Sequence, residues 1–230
     1  LGVPVRSLFG TGKPLSLENV DILVYDIQDV GCRFYTYLST LYYVMQACSE
    51  QHVELIILDR PNPKDVVDGP TLDMKFSSFV GIIPIPLLHG CTLGELAHIM
   101  VEMDWLKEQQ QPGCKEPELH YSIIPCAGWK HGQPYSLPIG PSKNLQNDHA
   151  IALYPSLCLF EGSEVSVGRG TDHPFEMFGT HDLGVNALHR HSIGGLALPD
   201  DLAEGEVRVL SDSEKDAVFM EKTPKIPNLL

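Results

Sequence analysis

The chain has 230 residues, of which 43% are hydrophobic and 20% charged, a composition that excludes wholesale disorder and lets a sizeable core form without staples. Thirty acids against 16 bases give a formal charge of −14, which argues against a nucleic-acid backbone or an anionic membrane as the main partner. No apolar run reaches the roughly 18 residues of a membrane span.

Val20-Asp21-Ile22-Leu23-Val24-Tyr25-Asp26 is short, apolar and β-branched, and predicts a buried strand. From Thr36 to Gln51 the apolar positions Leu38, Leu41, Tyr42, Met45 and Cys48 fall on one helical face. Val53 to Asp59 predicts a second strand. Strand, helix and strand in this order form a βαβ unit with parallel strands. Phe79 to Leu88, broken by Gly81, Pro84 and Pro86, predicts a third, irregular extended segment. Thr92-Leu93-Gly94-Glu95 has the form of a capping box, and the helix it opens places Leu93, Leu96, Ala97, Met100 and Met103 on one face. Glu108 to Gly113 predicts a surface loop, His120 to Ala127 a further strand, and Ala150 to Phe160 a short helix interrupted by Pro155. Residues 200–230 are acid-rich and weakly patterned. The chain starts Leu1-Gly2-Val3-Pro4 and ends in a Pro-containing tail, which reads as a piece of a longer protein. The predicted fold class is α/β, an open and mostly parallel sheet with flanking helices and a C-terminal appendage.

In such sheets ligands bind beyond the carboxyl ends of the strands. The first strand ends in Asp26-Ile27-Gln28-Asp29-Val30-Gly31-Cys32-Arg33-Phe34-Tyr35, the second in Asp59-Arg60-Pro61-Asn62-Pro63, and the third segment in His89-Gly90. All three polar clusters are expected on one edge, although turn chemistry alone also favours Asp, Asn, Gly and Pro there. Arg33 and Arg169 suit a bidentate clamp on an anionic group. Phe34, Tyr35 and Tyr37 suit an apolar sugar face, and Asp and Asn suit hydroxyl recognition. The mix points to a carbohydrate or polyol acid. No G-x-x-x-x-G-K-[ST] and no G-x-G-x-x-G occurs, so a nucleotide cofactor is disfavoured.

Other constellations are weaker. His181, His189 and His191 near Asp182 offer metal-binding spacing, against exposed histidines as the ordinary reading. Cys91 and His89 are close in sequence but lack an orienting third group for a thiol nucleophile. The six cysteines show no C-x-x-C spacing, and Cys48 and Cys158 read as buried free thiols. Glu161 and Glu176 are the in-chain carboxyl candidates for glycoside hydrolysis, each with an ion pair to Arg169 or a helix first turn as the alternative.

Asp26 to Tyr37 resembles the signature of the bacterial exo-β-N-acetylmuramidases, glycoside hydrolases formerly grouped as a domain of unknown function. Asp59-Arg60-Pro61-Asn62-Pro63, Gly69-Pro70, Pro84-Ile85-Pro86 with His89-Gly90, and Thr92 to Leu96 follow in that family's order. So do Tyr154-Pro155, Leu159-Phe160-Glu161-Gly162, and Gly168-Arg169-Gly170-Thr171 with Pro174-Phe175-Glu176. The resemblance runs from about Leu8 to Gly179.

This resemblance implies a Rossmann-like N-terminal domain, a smaller C-terminal domain and an active site in their cleft. It implies release of terminal N-acetylmuramic acid from peptidoglycan fragments, with a muropeptide or disaccharide as substrate and no metal or organic cofactor. Relatives of this kind are mostly secreted or periplasmic. The substrate-binding residues expected are Asp29, Arg33, Tyr35, Tyr37, Asp59, Arg60, Asn62, His89, Asn144 and Arg169. The domains expected are residues 1–182, Rossmann-like and lacking its first strand, and 183–230, a divergent remnant of the C-terminal domain or a tail. The family's catalytic glutamate is expected in a Pro-Glu-His-Gly motif upstream of Leu1. Three further departures stand out. Ser142-Lys143-Asn144 replaces Ser-Pro-Asn, the C-terminal domain is not recognisable after about Gly179, and Cys32 and Cys91 replace Ala and Met. A non-catalytic sugar-binding relative is the alternative.

Overall fold

The two predicted strands of the βαβ unit are Ile22–Tyr25 (β1) and Glu54–Leu58 (β2) in the computed structural model. They pair in parallel, Leu23 opposite Leu55 and Tyr25 opposite Ile57. The model describes residues 2–3, 15–106 and 119–180 and the backbone of 192–193, 196–197 and 208–209. The chain divides into two compact units, Leu1–Tyr135 and Ser136–Leu230.

In the first unit, helix α1 (Tyr37–Gln51) connects β1 to β2. It ends where His52 turns left-handed at φ 56° and donates its N–H to the carbonyls of Cys48 and Ser49. Leu38, Leu41, Tyr42, Met45 and Cys48, the residues of the predicted face, are all buried. They pack with Tyr25, Leu55 and Ile57 of the sheet and with helix α2 (Leu93–Glu102). Each fully buried aliphatic side chain there contributes about 1.5–3 kcal/mol. Burial also pushes the Cys48 thiol up to about 11, which makes it an inert core residue.

The third strand of the parallel sheet is Tyr121–Ile124 (β5), giving the order β1-β2-β5. The strand expected across Phe79 to Leu88 does not join this sheet. Only its end, Leu88–His89 (β4), is extended, and it pairs antiparallel with Val67–Asp68 (β3). Pro84 and Pro86 lack the N–H groups that a ladder requires, and Ser78 and Gly81 fold back on each other. The opposite sheet face carries Ile22, Val24 and Ile124, each about half exposed.

Helix α2 begins with the predicted capping box. Thr92 Oγ1 accepts the Glu95 N–H at 3.2 Å, and Glu95 Oε2 accepts the Thr92 N–H at 2.9 Å. Leu93, Leu96, Ala97 and Met100 are buried as expected, but Met103 is 59% exposed because the helix stops at Glu102 and Met103 is its cap.

In the second unit, Asp148–Leu157 (α3) is capped by the Asn147 side chain, which accepts the Ala150 N–H at 2.8 Å. Pro155 lies inside this helix, which continues for two residues and then tightens into a 3₁₀ turn, Cys158–Gly162. Met177–Phe178 (β6) pairs with Arg208–Val209 (β9), and Ser192–Ile193 (β7) with Leu196–Ala197 (β8). The predicted loop at 108–113 lies outside the described residues.

Gly94 separates packing from propensity. Alanine normally favours a helix over glycine by about 1 kcal/mol. A Cβ here meets Asp59 Cγ at 2.7 Å and Ile123 Cγ2 at 2.8 Å. Gly94→Ala is therefore expected to lower stability by about 1–3 kcal/mol in urea unfolding. A gain in stability would show that α2 shifts freely against β2 and β5.

Candidate functional site

The carboxyl ends of β1, β2 and β4 meet at one edge through buried polar side chains. Asp29, Asn62 and His89 are 5%, 2% and 3% exposed. Asp29 Oδ2 accepts the Gly31 N–H at 2.7 Å and faces His89 Nε2 at 3.2 Å. Asn62 donates Nδ2 to the Cys91 carbonyl at 3.0 Å and accepts the Lys64 N–H at 2.8 Å. Gln28 donates to the Pro61 carbonyl at 2.8 Å. Gly31 sits at φ 77°, and a Cβ on it would lie 2.3 Å from Asn62 Oδ1, so only glycine fits between the loops. The other oxygen of Asp29, Oδ1, is buried without a hydrogen-bond partner.

In the neutral His89 ring Nδ1 accepts the Cys91 N–H at 3.3 Å and Nε2–H faces Asp29; the charged ring gives up the first contact and keeps the second. Burial disfavours the charged ring. The Asp29 hydrogen bond and charge, with Cys91, outweigh burial and lift His89 to about 9. A full negative charge in a buried site is a stronger partner than one long backbone N–H contact.

The other expected binding residues of this unit are brought to the same edge but given structural partners. Arg33 donates Nη1 to the carbonyls of Pro70 at 2.7 Å and Ile85 at 2.6 Å, which braces the segment after β3. Asp59 accepts the Thr92 hydroxyl at 2.6 Å and the Gly94 N–H at 2.9 Å, tying the end of β2 to the N-terminus of α2. Arg60 pairs with Asp26 at 2.6 Å, both about 40% exposed. Tyr35 is buried and stacks edge-on with Tyr37, rings 5.0 Å apart. The Tyr37 carbonyl accepts the Tyr25 hydroxyl at 2.8 Å.

A second cluster on this edge had no sequence signal. His131, in the loop after β5, places Nδ1 2.5 Å from Asp65 and Nε2 2.8 Å from Glu95. Sequence separations of 66 and 36 hide both contacts. Glu95 was legible only as a cap residue. Trp129 packs its ring 5.0 Å from that of His131.

In the second unit Arg169 forks both oxygens of Glu161 and lies 4.9 Å above the Phe175 ring. Cys158 Sγ donates to Glu161 Oε2 at 3.1 Å. Burial pushes the Glu161 carboxyl up, but Arg169 and Cys158 outweigh it and hold it below the usual carboxylate range. Phe175 is buried at φ 60°, edge-on to Tyr154 at 4.9 Å. The neighbouring Glu176 is 7% exposed, with His173 Nδ1 at 3.6 Å. Asn144 is half-buried in a turn closed by the Leu145 N–H on the Ser142 carbonyl at 3.1 Å. Among the described residues no group of three His, Cys, Asp or Glu is arranged to hold a metal ion. His181, Asp182, His189 and His191 lie outside them.

Residues 1–149 match the family model of the exo-β-N-acetylmuramidase NamZ N-terminal region, and residues 152–200 match that of its C-terminal region. The chain belongs to the exo-β-N-acetylmuramidase NamZ family. The C-terminal family match runs past Gly179, where the motifs visible by eye stop. Peptidoglycan β-N-acetylmuramidase NamZ of Bacillus subtilis (strain 168) is 41% identical over 207 residues, covering 86% of this chain and 47% of that protein. The chain thus spans about half the length of this curated family member. Two crystal structures of DUF1343 family proteins from Bacteroides fragilis NCTC 9343 are similar in fold. One has a TM-score of 0.66 at 42% identity, covering 85% of this chain and 56% of the other. The second has a TM-score of 0.66 at 36% identity, covering 77% and 46%.

The His89 shift carries a pH signature. Its folded value of about 9 lies above the ordinary 6.5. The stability it contributes is therefore fully present below about pH 6.5 and lost as pH rises through about 9, by on the order of 3 kcal/mol. Urea unfolding between pH 6 and 10 is expected to show this loss in the native sequence and not in His89→Gln. Parallel pH profiles for the two would exclude a charged Asp29–His89 pair.

Proposed function

We propose that this chain is part of a glycoside hydrolase that releases terminal N-acetylmuramic acid from the non-reducing end of peptidoglycan fragments. The observation that carries this reading is the convergence of the family's signature segments, Asp26 to Tyr37, Asp59 to Pro63 and His89-Gly90, on one sheet edge. The substrate class comes from the Bacillus subtilis relative, which is a peptidoglycan β-N-acetylmuramidase.

In this reading the residues divide by availability. Asp29, whose Oδ1 is buried out of reach of solvent, belongs to the scaffold of the edge. Arg60 exchanges Asp26 for the lactyl carboxylate, and its exposure lets a ligand reach it. Tyr35 and Tyr37 supply apolar ring surface beside the sugar. Arg33, Asp59, Asn62 and His89 hold the three loops in place. Asn144 and Arg169 lie in the second unit, where Arg169 is engaged by Glu161.

Hydrolysis breaks the bond between the anomeric carbon and the glycosidic oxygen, protonates that oxygen and adds water to the carbon. Glu161, forked by Arg169, is held ionised and is unsuited to donate that proton. The resemblance assigns the donor to the glutamate of a Pro-Glu-His-Gly motif, a tetrapeptide that does not occur in the 230 residues. The occupied Glu161 favours a second reading, a muramic-acid-binding relative without turnover.

Calorimetry with N-acetylmuramic acid and N-acetylglucosamine, beside release of nitrophenol from a β-N-acetylmuramide, tests both readings on the chain. Muramic acid is expected to bind at least about tenfold more tightly, because its carboxylate adds a charge-assisted hydrogen bond worth about 1.5–3 kcal/mol. Arg60→Ala is expected to abolish that preference. Equal affinity for the two sugars, or no binding of either, would overturn the assignment. Binding alone, with turnover gained once a segment carrying the Pro-Glu-His-Gly motif is joined to the chain, supports the hydrolase; binding without turnover in either form supports the second reading, and turnover by the 230 residues alone would place the donor among them.

A further inference from the structure

The loop that follows β5 is tied down by the His131 ring and the Gly132 N–H. Within the loop the Trp129 Nε1–H donates to the Gln133 carbonyl at 3.2 Å, the Gln133 N–H to the Lys130 carbonyl at 3.1 Å, and the Lys130 N–H to Gln133 Oε1 at 3.0 Å. These bonds close the loop on itself. Its ties to the rest of the sheet edge run through His131 and Gly132. The Gly132 N–H and His131 Nδ1 both reach Asp65, in the segment between β2 and β3. His131 Nε2 reaches Glu95 in the first turn of α2. Glu95 spends its other oxygen on the Thr92 N–H, so its carboxylate is fixed by the capping box before the loop arrives.

Both carboxylates are acceptors. A ring that faces an acceptor at each nitrogen makes two hydrogen bonds only when both nitrogens carry hydrogen, which is the imidazolium. Deprotonation turns one of the two contacts into acceptor against acceptor. We propose that His131 is a proton-dependent latch, whose imidazolium holds the loop of residues 125–134 closed on the carboxyl edge of the parallel sheet and whose deprotonation releases it.

The titratable groups that face the ring are Asp65 from the β2–β3 segment and Glu95 from α2, both acidic, while the indole of Trp129 covers it from within the loop. Both acids favour the charged ring. Their hydrogen bonds raise His131 above its ordinary value, and they outweigh a small opposing effect of burial. Reciprocally, Asp65 is held below the usual carboxylate range. Its burial is outweighed by the Gly132 N–H and His131. The ring is 46% exposed, so it exchanges protons with solvent directly. The sign follows: the latch is closed below the raised value and opens as pH rises through it.

This inference stands apart from the glycosidase reading, and its test uses no sugar. Trp105 and Trp129 are the two tryptophans of the chain, so Trp105→Phe leaves Trp129, against His131, as sole reporter. Its fluorescence is followed from pH 5 to 10, together with cleavage after Lys130 by a lysine-specific endoproteinase, which ignores arginine. The emission is expected to titrate with a midpoint above 6.5. Cleavage at the alkaline end is expected to be about tenfold faster than in His131→Arg at the same pH, since arginine keeps its donors throughout. His131→Gln should remove the titration and leave the loop cleavable at all pH values. A midpoint at or below 6.5, an unchanged titration in His131→Gln, or a His131→Arg variant that opens with the native sequence would each overturn the latch.

Discussion

Asp29 and His89 meet inside the protein at 3.2 Å, 60 positions apart in sequence, and the geometry of the carboxyl edge depends on that contact. An ionised carboxylate taken out of water costs several kcal/mol unless partners replace its hydration. Asp29 gains the Gly31 N–H on its own loop and His89 from the neighbouring one. Asn62 answers from the third loop with both ends of its amide engaged. The three loops are thereby fixed by groups that tolerate no half-measures. Removing one partner strands another away from bulk solvent. Gly31 completes the constraint, since any side chain there would strike Asn62.

The same pairing sorts the edge into scaffold and accessible surface. Asp59 looks like a ligand-binding acid in sequence, yet its oxygens serve the Thr92 hydroxyl, the Gly94 N–H of α2 and the Arg60 N–H. Arg33 looks like an anion clamp, yet its guanidinium closes on two carbonyls and burial lowers its affinity for the proton. A parallel sheet ends in frayed backbone that must be satisfied somewhere. Here polar side chains of the signature segments do much of that. The residues left with capacity toward solvent are fewer, and Arg60, Asp26 and the His131 cluster are the exposed ones.

Much of the sheet was legible from local pattern. The strands at 22–25 and 54–58, the helix between them and the capping box at Thr92 are each written in periodicities within about a dozen residues. The meeting of the first two loops followed from parallel strand direction, whereas His89 reaches the same edge from β4, which pairs antiparallel with β3 outside the parallel sheet. The segment from Phe79 to Leu88 misled because its apolar composition suggests a strand while its prolines remove the hydrogen bonds that one needs. The roles of Arg33 and Asp59 were hidden because partner choice is a three-dimensional property. A guanidinium in sequence carries no mark of whether carbonyls or ligands will occupy it. The contacts of His131 span 66 and 36 positions, beyond the reach of any local rule.

Among the described residues, the carboxylates that their surroundings displace move in one direction. Asp65, Asp73 and Glu161 are each held below the ordinary range, by His131 and Gly132, by Lys75, and by Arg169 with Cys158, with burial opposing in every case. A general acid for glycoside hydrolysis needs the opposite environment, apolar and free of cations, so that the carboxyl keeps its proton near neutral pH. Groups held ionised by cations suit another task. They anchor loops, and they order the cations beside them for an anionic ligand. The described carboxylates with cationic partners are therefore matched to anchoring loops, and the proton donor of the hydrolase reading has to come from a group with no arginine or histidine at its oxygens.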